Sequence, residues 1–157
     1  LELGGKSACI VMEDADLDWA VDVLMDGAMY NAGQCCCGIE RIYVHRSRFD
    51  TFVDRATAWV SQLRLGSPLD PATTLGPMAN IRFATEVRAQ VAEAVAAGAS
   101  PLIGREAFPQ DDGGTYLAPQ VLVNVDHSMR VMREETFGPV VGIMPVDTDE
   151  EALALMN

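Results

Sequence analysis

Residues 7–45 read SACIVMEDADLDWAVDVLMDGAMYNAGQCCCGIERIYVH, and the change of hydrophobic period along them decides the fold. Ser7 to Met12 is a short, largely apolar run of strand type, ended by Glu13-Asp14. From Leu17 the period changes. Leu17, Ala20, Val21, Leu24, Met25, Ala28 and Met29 fall at i, i+3, i+4, i+7, i+8, i+11 and i+12, which is one apolar face of a helix. Asp16 is its expected N-cap, Asp18 suits the positive end of the helix dipole, and Gly33 suits the C-terminal stop. Ile39 to His45 then has the β-branched and aromatic content of a buried strand. The unit is strand, helix, strand.

The same alternation continues. Ser47 is expected to cap a second helix whose apolar face is Phe49, Phe52, Val53, Ala56, Val60 and Leu63, ending at Gly66. Pro68, Pro71 and Pro77 keep residues 67–79 irregular. A third helix is expected from about Asn80, with Phe83, Ala84, Val87, Val91, Ala94 and Val95 on its apolar face and a stop at Gly98. Pro101 to Gly104 reads as a short strand, and Arg105 to Thr115 as a surface turn. Tyr116 to Val125 and Pro139 to Val146 are extended, joined through a short helical turn near Met129 to Arg133. Asp147 to Asn157 reads as the beginning of a helix. Repeated β-α alternation predicts an α/β fold with a mostly parallel sheet flanked by helices. In such sheets ligands gather at the carboxyl ends of the strands and in the turns that follow.

Composition narrows the function. The 157 residues are 49% apolar and 22% charged, as in a globular domain, and carry a formal charge of −12. That field repels nucleic-acid backbones and anionic membrane surfaces. No apolar run is long enough to span a bilayer. The four cysteines, Cys9 and the run Cys35-Cys36-Cys37, cannot make an ordinary disulfide framework, so a reducing, cytoplasmic setting is expected. Leu1 in place of an initiator Met, and the barely begun last helix, suggest a segment of a longer protein.

The densest chemical signal is Asn31-Ala32-Gly33-Gln34-Cys35-Cys36-Cys37, placed between a helix end and a strand. Adjacent residues cannot aim three sulfurs at one metal ion, and no second Cys/His cluster completes a set, so no metal is expected. On the triplet alone, inert packing thiols are the better reading. A nucleophile is the other, and it needs a base. His45 and His127 sit in no partner motif; Glu2, ahead of Gly4-Gly5, is the carboxylate candidate. Cys9, Trp19 and Trp59 read as packing residues, and Lys6 as a surface or structural lysine as readily as one near a site.

Three blocks carry a family resemblance. Glu2-Leu3-Gly4-Gly5-Lys6-Ser7 resembles the glutamate signature of the aldehyde dehydrogenases. Gly33-Gln34-Cys35-Cys36-Cys37 resembles their cysteine signature, with Arg41 at the usual short distance beyond, and the 34 positions from Glu2 to Cys36 suit the family's spacing. Glu134-Glu135-Thr136-Phe137-Gly138-Pro139 resembles their segment at the nicotinamide end of the cofactor. Leu75-Gly76-Pro77-Met78 and Tyr116-Leu117-Ala118-Pro119 extend the likeness along essentially the whole chain.

The resemblance implies that Cys36 is the nucleophile and Glu2 the general base, with Cys35 and Cys37 bystanders. It implies that Glu135 holds the nicotinamide ribose hydroxyls, that Phe137 packs beside the ring, and that Leu3 and Gly4 also line the cofactor. The fold implied is a truncated Rossmann-like catalytic domain over residues 1–157. The upstream cofactor-binding domain and the C-terminal oligomerisation segment would then be absent, and the isolated piece inactive. The cofactor implied is NAD or NADP, the substrate a small-molecule aldehyde, and the parent a homo-oligomer, either dimer or tetramer. The chemistry implied is aldehyde oxidation to a carboxylic acid through a cysteine thiohemiacetal and thioester. The competing readings are a thiol acyl-hydrolase using Cys36 and Glu2, and a non-catalytic packing or redox-sensing module. The Glu135–Phe137 block favours the first, because a hydrolase needs no cofactor clamp.

Overall fold

A computed structural model describes residues 3–157. Five strands form one sheet: β1 (Ala8–Val11), β2 (Arg41–His45), β3 (Ser100–Pro101), β4 (Gln120–Val123) and β5 (Val140–Val146), in the order β1-β2-β5-β4-β3. β1, β2, β5 and β4 run parallel, and the short β3 joins the β4 edge antiparallel. The helices are α1 (Leu17–Met29), α2 (Arg46–Ser61), α3 (Ile81–Ala96), the single turn α4 (Arg130–Arg133) and α5 (Asp149–Met156). The mostly parallel α/β sheet expected from the alternating periods is present.

β2 shows why the sheet needs helices on both sides. Its alternate residues enter two apolar clusters: Ile42 and Val44 join the main core with α1, α2 and α3, while Tyr43 packs with Val146 and Ala152 under α5. Ile42, Tyr43 and Val44 are fully buried. A strand covered on both faces reads as a continuous apolar run, which is how this one read.

The helix starts follow local chemistry. Asp16 caps α1, its Oδ1 accepting the N–H groups of Asp18 and Trp19 at 3.0 and 3.3 Å. Thr148 caps α5 by accepting the Glu151 N–H at 3.1 Å. At α2 the expected cap is displaced by two residues. The helix begins at Arg46, and His45 caps it, Nδ1 accepting the Ser47 N–H at 3.3 Å while lying 2.8 Å from the Ser47 hydroxyl.

The expected strand at Pro101 to Gly104 is mostly replaced. Ser100–Pro101 pair with β4 and the Leu102 N–H still donates to the Val121 carbonyl at 3.0 Å; at Ile103 the Gln120 side chain takes both the N–H and the C=O, at 2.9 and 3.0 Å, in place of a neighbouring strand. Trp19 is 68% exposed rather than packed, and Phe83, assigned to the apolar face of α3, is 40% exposed beside the Arg82 guanidinium. Trp59 does pack, its indole N–H donating to Asp22 at 2.9 Å. Among the described residues no helix is long and apolar enough to cross a membrane.

Candidate active site

The thiol run is delivered by an unusual turn. After α1, Asn31, Ala32 and Gly33 all take left-handed conformations, with φ of 53°, 56° and 69°. A left-handed alanine is strained, and Ala32 is buried, so the surrounding packing must hold it there. Gly33 is required twice over: by its φ, and because a Cβ there would lie 2.0 Å from the Gly138 carbonyl oxygen. The turn that presents the cysteines is therefore packed directly against the Glu134–Pro139 block.

Gln34 then fixes the loop with both ends of its amide. Its Nε2 donates to the Asn31 carbonyl at 2.9 Å, and its Oε1 accepts the Ala79 N–H at 2.7 Å. Asn31 donates back to the Gln34 carbonyl at 3.1 Å. Cys36 and Cys37 are exposed and Cys35 is half-exposed. Cys35 and Cys37 pair, their sulfurs 3.3 Å apart. Hydrogen bonds from the backbone and side chain of Cys37 hold the Cys35 thiol below its ordinary range, and the same pairing pushes Cys37 up. The middle thiol, Cys36, stands outside that pair.

The glycines of the first block meet the other two. A Cβ on Gly5 would sit 3.5 Å from the Cys36 carbonyl, and one on Gly4, at φ 72°, would sit 3.9 Å from the Glu135 carboxylate. Leu3 is 83% exposed, and Phe137 is half-buried in the Glu134–Pro139 block. Glu2, the expected base, lies outside the described residues. The blocks that the resemblance singled out in the sequence thus meet in space, with Gly4 and Gly5 between the thiol loop and Glu135.

Lys6 proves to be part of this junction. Its ammonium donates to Glu40 at 2.6 Å and to the Thr136 hydroxyl at 3.1 Å, and the side chains of the ion pair are each 8% exposed. The same Glu40 oxygen accepts the Thr136 N–H at 2.6 Å. Burial pushes the Lys6 pKa down and the Glu40 pKa up, in each case by more than the partner's attraction offsets; the nearby Glu135 favours the charged lysine. Arg41 holds the main chain of the same segment, Nε and Nη2 donating to the Lys6 carbonyl at 3.1 and 2.9 Å. From α3, the buried Gln90 donates to the Glu135 carbonyl at 3.1 Å.

None of Glu40, Gln90 and the Lys6 contact was singled out in the sequence. Two signals were available: Glu40 is a charge at the mouth of an apolar strand, and Gln90 interrupts the apolar stripe of α3 between Val87 and Ala94.

Glu135 Oε1 is buried and has no hydrogen-bond partner among the described residues, which calls for a donor. A vicinal diol, such as the ribose of a nicotinamide nucleotide, supplies one, so the residues fit that group. Among the described residues no three His, Cys, Asp or Glu side chains group as metal ligands.

The chain matches the profile of the aldehyde dehydrogenase family over residues 1–157. It is 41% identical to vanillin dehydrogenase of Pseudomonas fluorescens and 40% identical to succinate-semialdehyde dehydrogenase (NADP(+)) 1 of Schizosaccharomyces pombe. These alignments cover all of this chain and 32% and 31% of the two relatives. Among solved structures, an aldehyde dehydrogenase of Mycobacterium tuberculosis complexed with NAD+ superposes with a TM-score of 0.92 at 40% identity, over 99% of this chain and 32% of that one. The chain therefore spans about a third of the length of these relatives, and it belongs to the aldehyde dehydrogenase family.

Proposed function

We propose that this chain is the thiol-bearing part of an enzyme that oxidises an aldehyde to a carboxylic acid with NAD or NADP. The observation that carries the reading is the placement of the Gly4–Gly5 segment, where an added Cβ would meet the Glu135 carboxylate at Gly4 and the Cys36 carbonyl at Gly5.

Cys36 adds through sulfur to the aldehyde carbonyl, giving a tetrahedral oxyanion. Its own backbone N–H donates to that oxygen in this reading, and each such donor is worth roughly 10²–10³ in rate. Collapse of that oxyanion re-forms the carbonyl and breaks the C–H bond, and a bound nicotinamide nucleotide would supply the acceptor for the departing hydride. Glu135 holds its ribose hydroxyls, Phe137 packs beside its ring, and Leu3 and Gly4 line the approach. The thioester left on Cys36 is cleaved by water: Glu2 takes a proton from the attacking water, the carbon–sulfur bond breaks, and the acid leaves with the thiolate restored. Exposure of the Cys36 side chain supports this role, since the attacking sulfur must reach a small molecule.

Cys36→Ser in the whole-length protein tests the assignment. NAD(P)H formation with an accepted aldehyde should fall by roughly 10³-fold or more, while Cys35→Ser and Cys37→Ser should each retain activity within about tenfold. A Cys36→Ser protein that still reduces the cofactor at the wild-type rate refutes the nucleophile.

A further inference from the structure

We propose that Gln90, Glu40 and Lys6 are positioning residues that aim the Glu135 carboxylate at the nicotinamide nucleotide by clamping the Glu135–Thr136 peptide at both of its polar ends. The proposal rests on the reading of Glu135 given above and assigns to three further side chains the task of making it work.

The geometry is that of one rigid plane. The carbonyl of Glu135 and the N–H of Thr136 belong to the same planar peptide unit. Gln90 donates to that carbonyl from α3, and Glu40 accepts that N–H from the mouth of β2. Held at opposite ends, the plane cannot rotate, and its orientation sets the direction in which Glu135 leaves the backbone. Lys6 completes the device by bonding both Glu40 and the Thr136 hydroxyl, so the carboxylate that fixes the peptide is itself fixed. The clamp is buried: Glu40 is 7% exposed and Gln90 3%, the Lys6 side chain is 8% exposed, and the clamped Thr136 is 1% exposed.

Stability alone is a poor reason for this arrangement. A buried ion pair is often no more stabilising than apolar side chains of the same volume. Gln90 also leaves its own Oε1 buried without a partner among the described residues. The outcome of these costs is a carboxylate with one oxygen near Gly4 and the other buried with no partner among the described residues. Pre-organising an acceptor in this way strengthens binding by removing the cost of ordering it when the ligand arrives. Lys6 also ties the segment that carries Gly4 to the segment that carries Glu135, so the two move together.

Calorimetric titration of the whole-length protein with NAD+ and with NADP+ tests the clamp. Three variants are compared: Gln90→Met, the paired Lys6→Met/Glu40→Leu, and Glu135→Gln. The paired variant removes both charges at once and so leaves no lone buried ion to unfold the protein. Iodoacetamide labelling of Cys36 is followed in each, as a readout of the thiol loop.

Gln90→Met and the paired variant should each raise the Kd of the preferred nucleotide on the order of tenfold, about the worth of one hydrogen bond. KM for the nucleotide should rise more than kcat falls, and Cys36 labelling should stay within about twofold. A Kd within about twofold of the wild type in both, with Glu135→Gln clearly weakened, overturns the clamp and spares the reading of Glu135. Loss of nucleotide binding in parallel with altered Cys36 labelling also overturns it, since that is general loosening. A Glu135→Gln protein that binds as the wild type does sinks the Glu135 reading and the clamp with it.

Discussion

Gly33 sits where the thiol turn meets the Glu134–Pro139 block, in a left-handed conformation with no room for a side chain. Gly33→Ala would add both a strained φ and a Cβ clash with the Gly138 backbone, and backbone does not yield cheaply. We expect a loss of about 2–4 kcal/mol in denaturant unfolding, together with slower turnover; unchanged stability would mean that the turn can be built another way. The motif was legible in the sequence, but this reason for it was not. A glycine after a helix reads as a simple stop, whereas here it is a point of close approach between segments more than a hundred residues apart. The partners of Lys6 were hidden for the same reason: a single sequence does not show that position 6 meets positions 40 and 136. Trp19 failed differently. Its place on a helix suggested packing, yet it is 68% exposed.

At the scale of elements, the β-α alternation and the apolar faces of α1, α2 and α3 gave the sheet and its covering helices. The strand ends were less legible, because side chains substitute for ladder bonds there, as Gln120 does for Ile103. The connection from α3 to β4 shows such a device with a pH signature. Asp111 accepts from Arg88 on α3 at 2.6 Å and from the Ala118 N–H at 2.9 Å, while Arg88 also donates to the Gly113 and Tyr116 carbonyls. Burial alone would push the Asp111 pKa up; the Ala118 N–H, Arg88 and the Gly113 N–H outweigh it and hold the carboxyl below the usual range. A carboxyl depressed in the folded state stabilises above its unfolded value of about 3.9, and that contribution fades as pH falls through the folded value. Asp111→Asn should therefore be less stable than the wild type at neutral pH and lose less of its stability on acidification below about pH 4. Melting curves across that range would show it, and parallel acid limbs for the two proteins would contradict it.

On the scale of the molecule, the mostly parallel sheet brings the Gly4–Lys6 segment, the thiol loop and the Glu134–Pro139 block to one junction. The 157 residues span about a third of the relatives they match. Which aldehyde is accepted, and the choice between NAD and NADP, are therefore questions for the whole-length protein. The chemistry proposed for it comes down to one covalent bond. Reacting that protein with an aldehyde and NAD+ or NADP+, quenching in acid and mapping peptides by mass spectrometry would catch the acyl group in transit. The account predicts an acyl thioester on Cys36. An acyl group on Cys35 or Cys37, or steady aldehyde oxidation with no acyl-cysteine at any quench time, would contradict it.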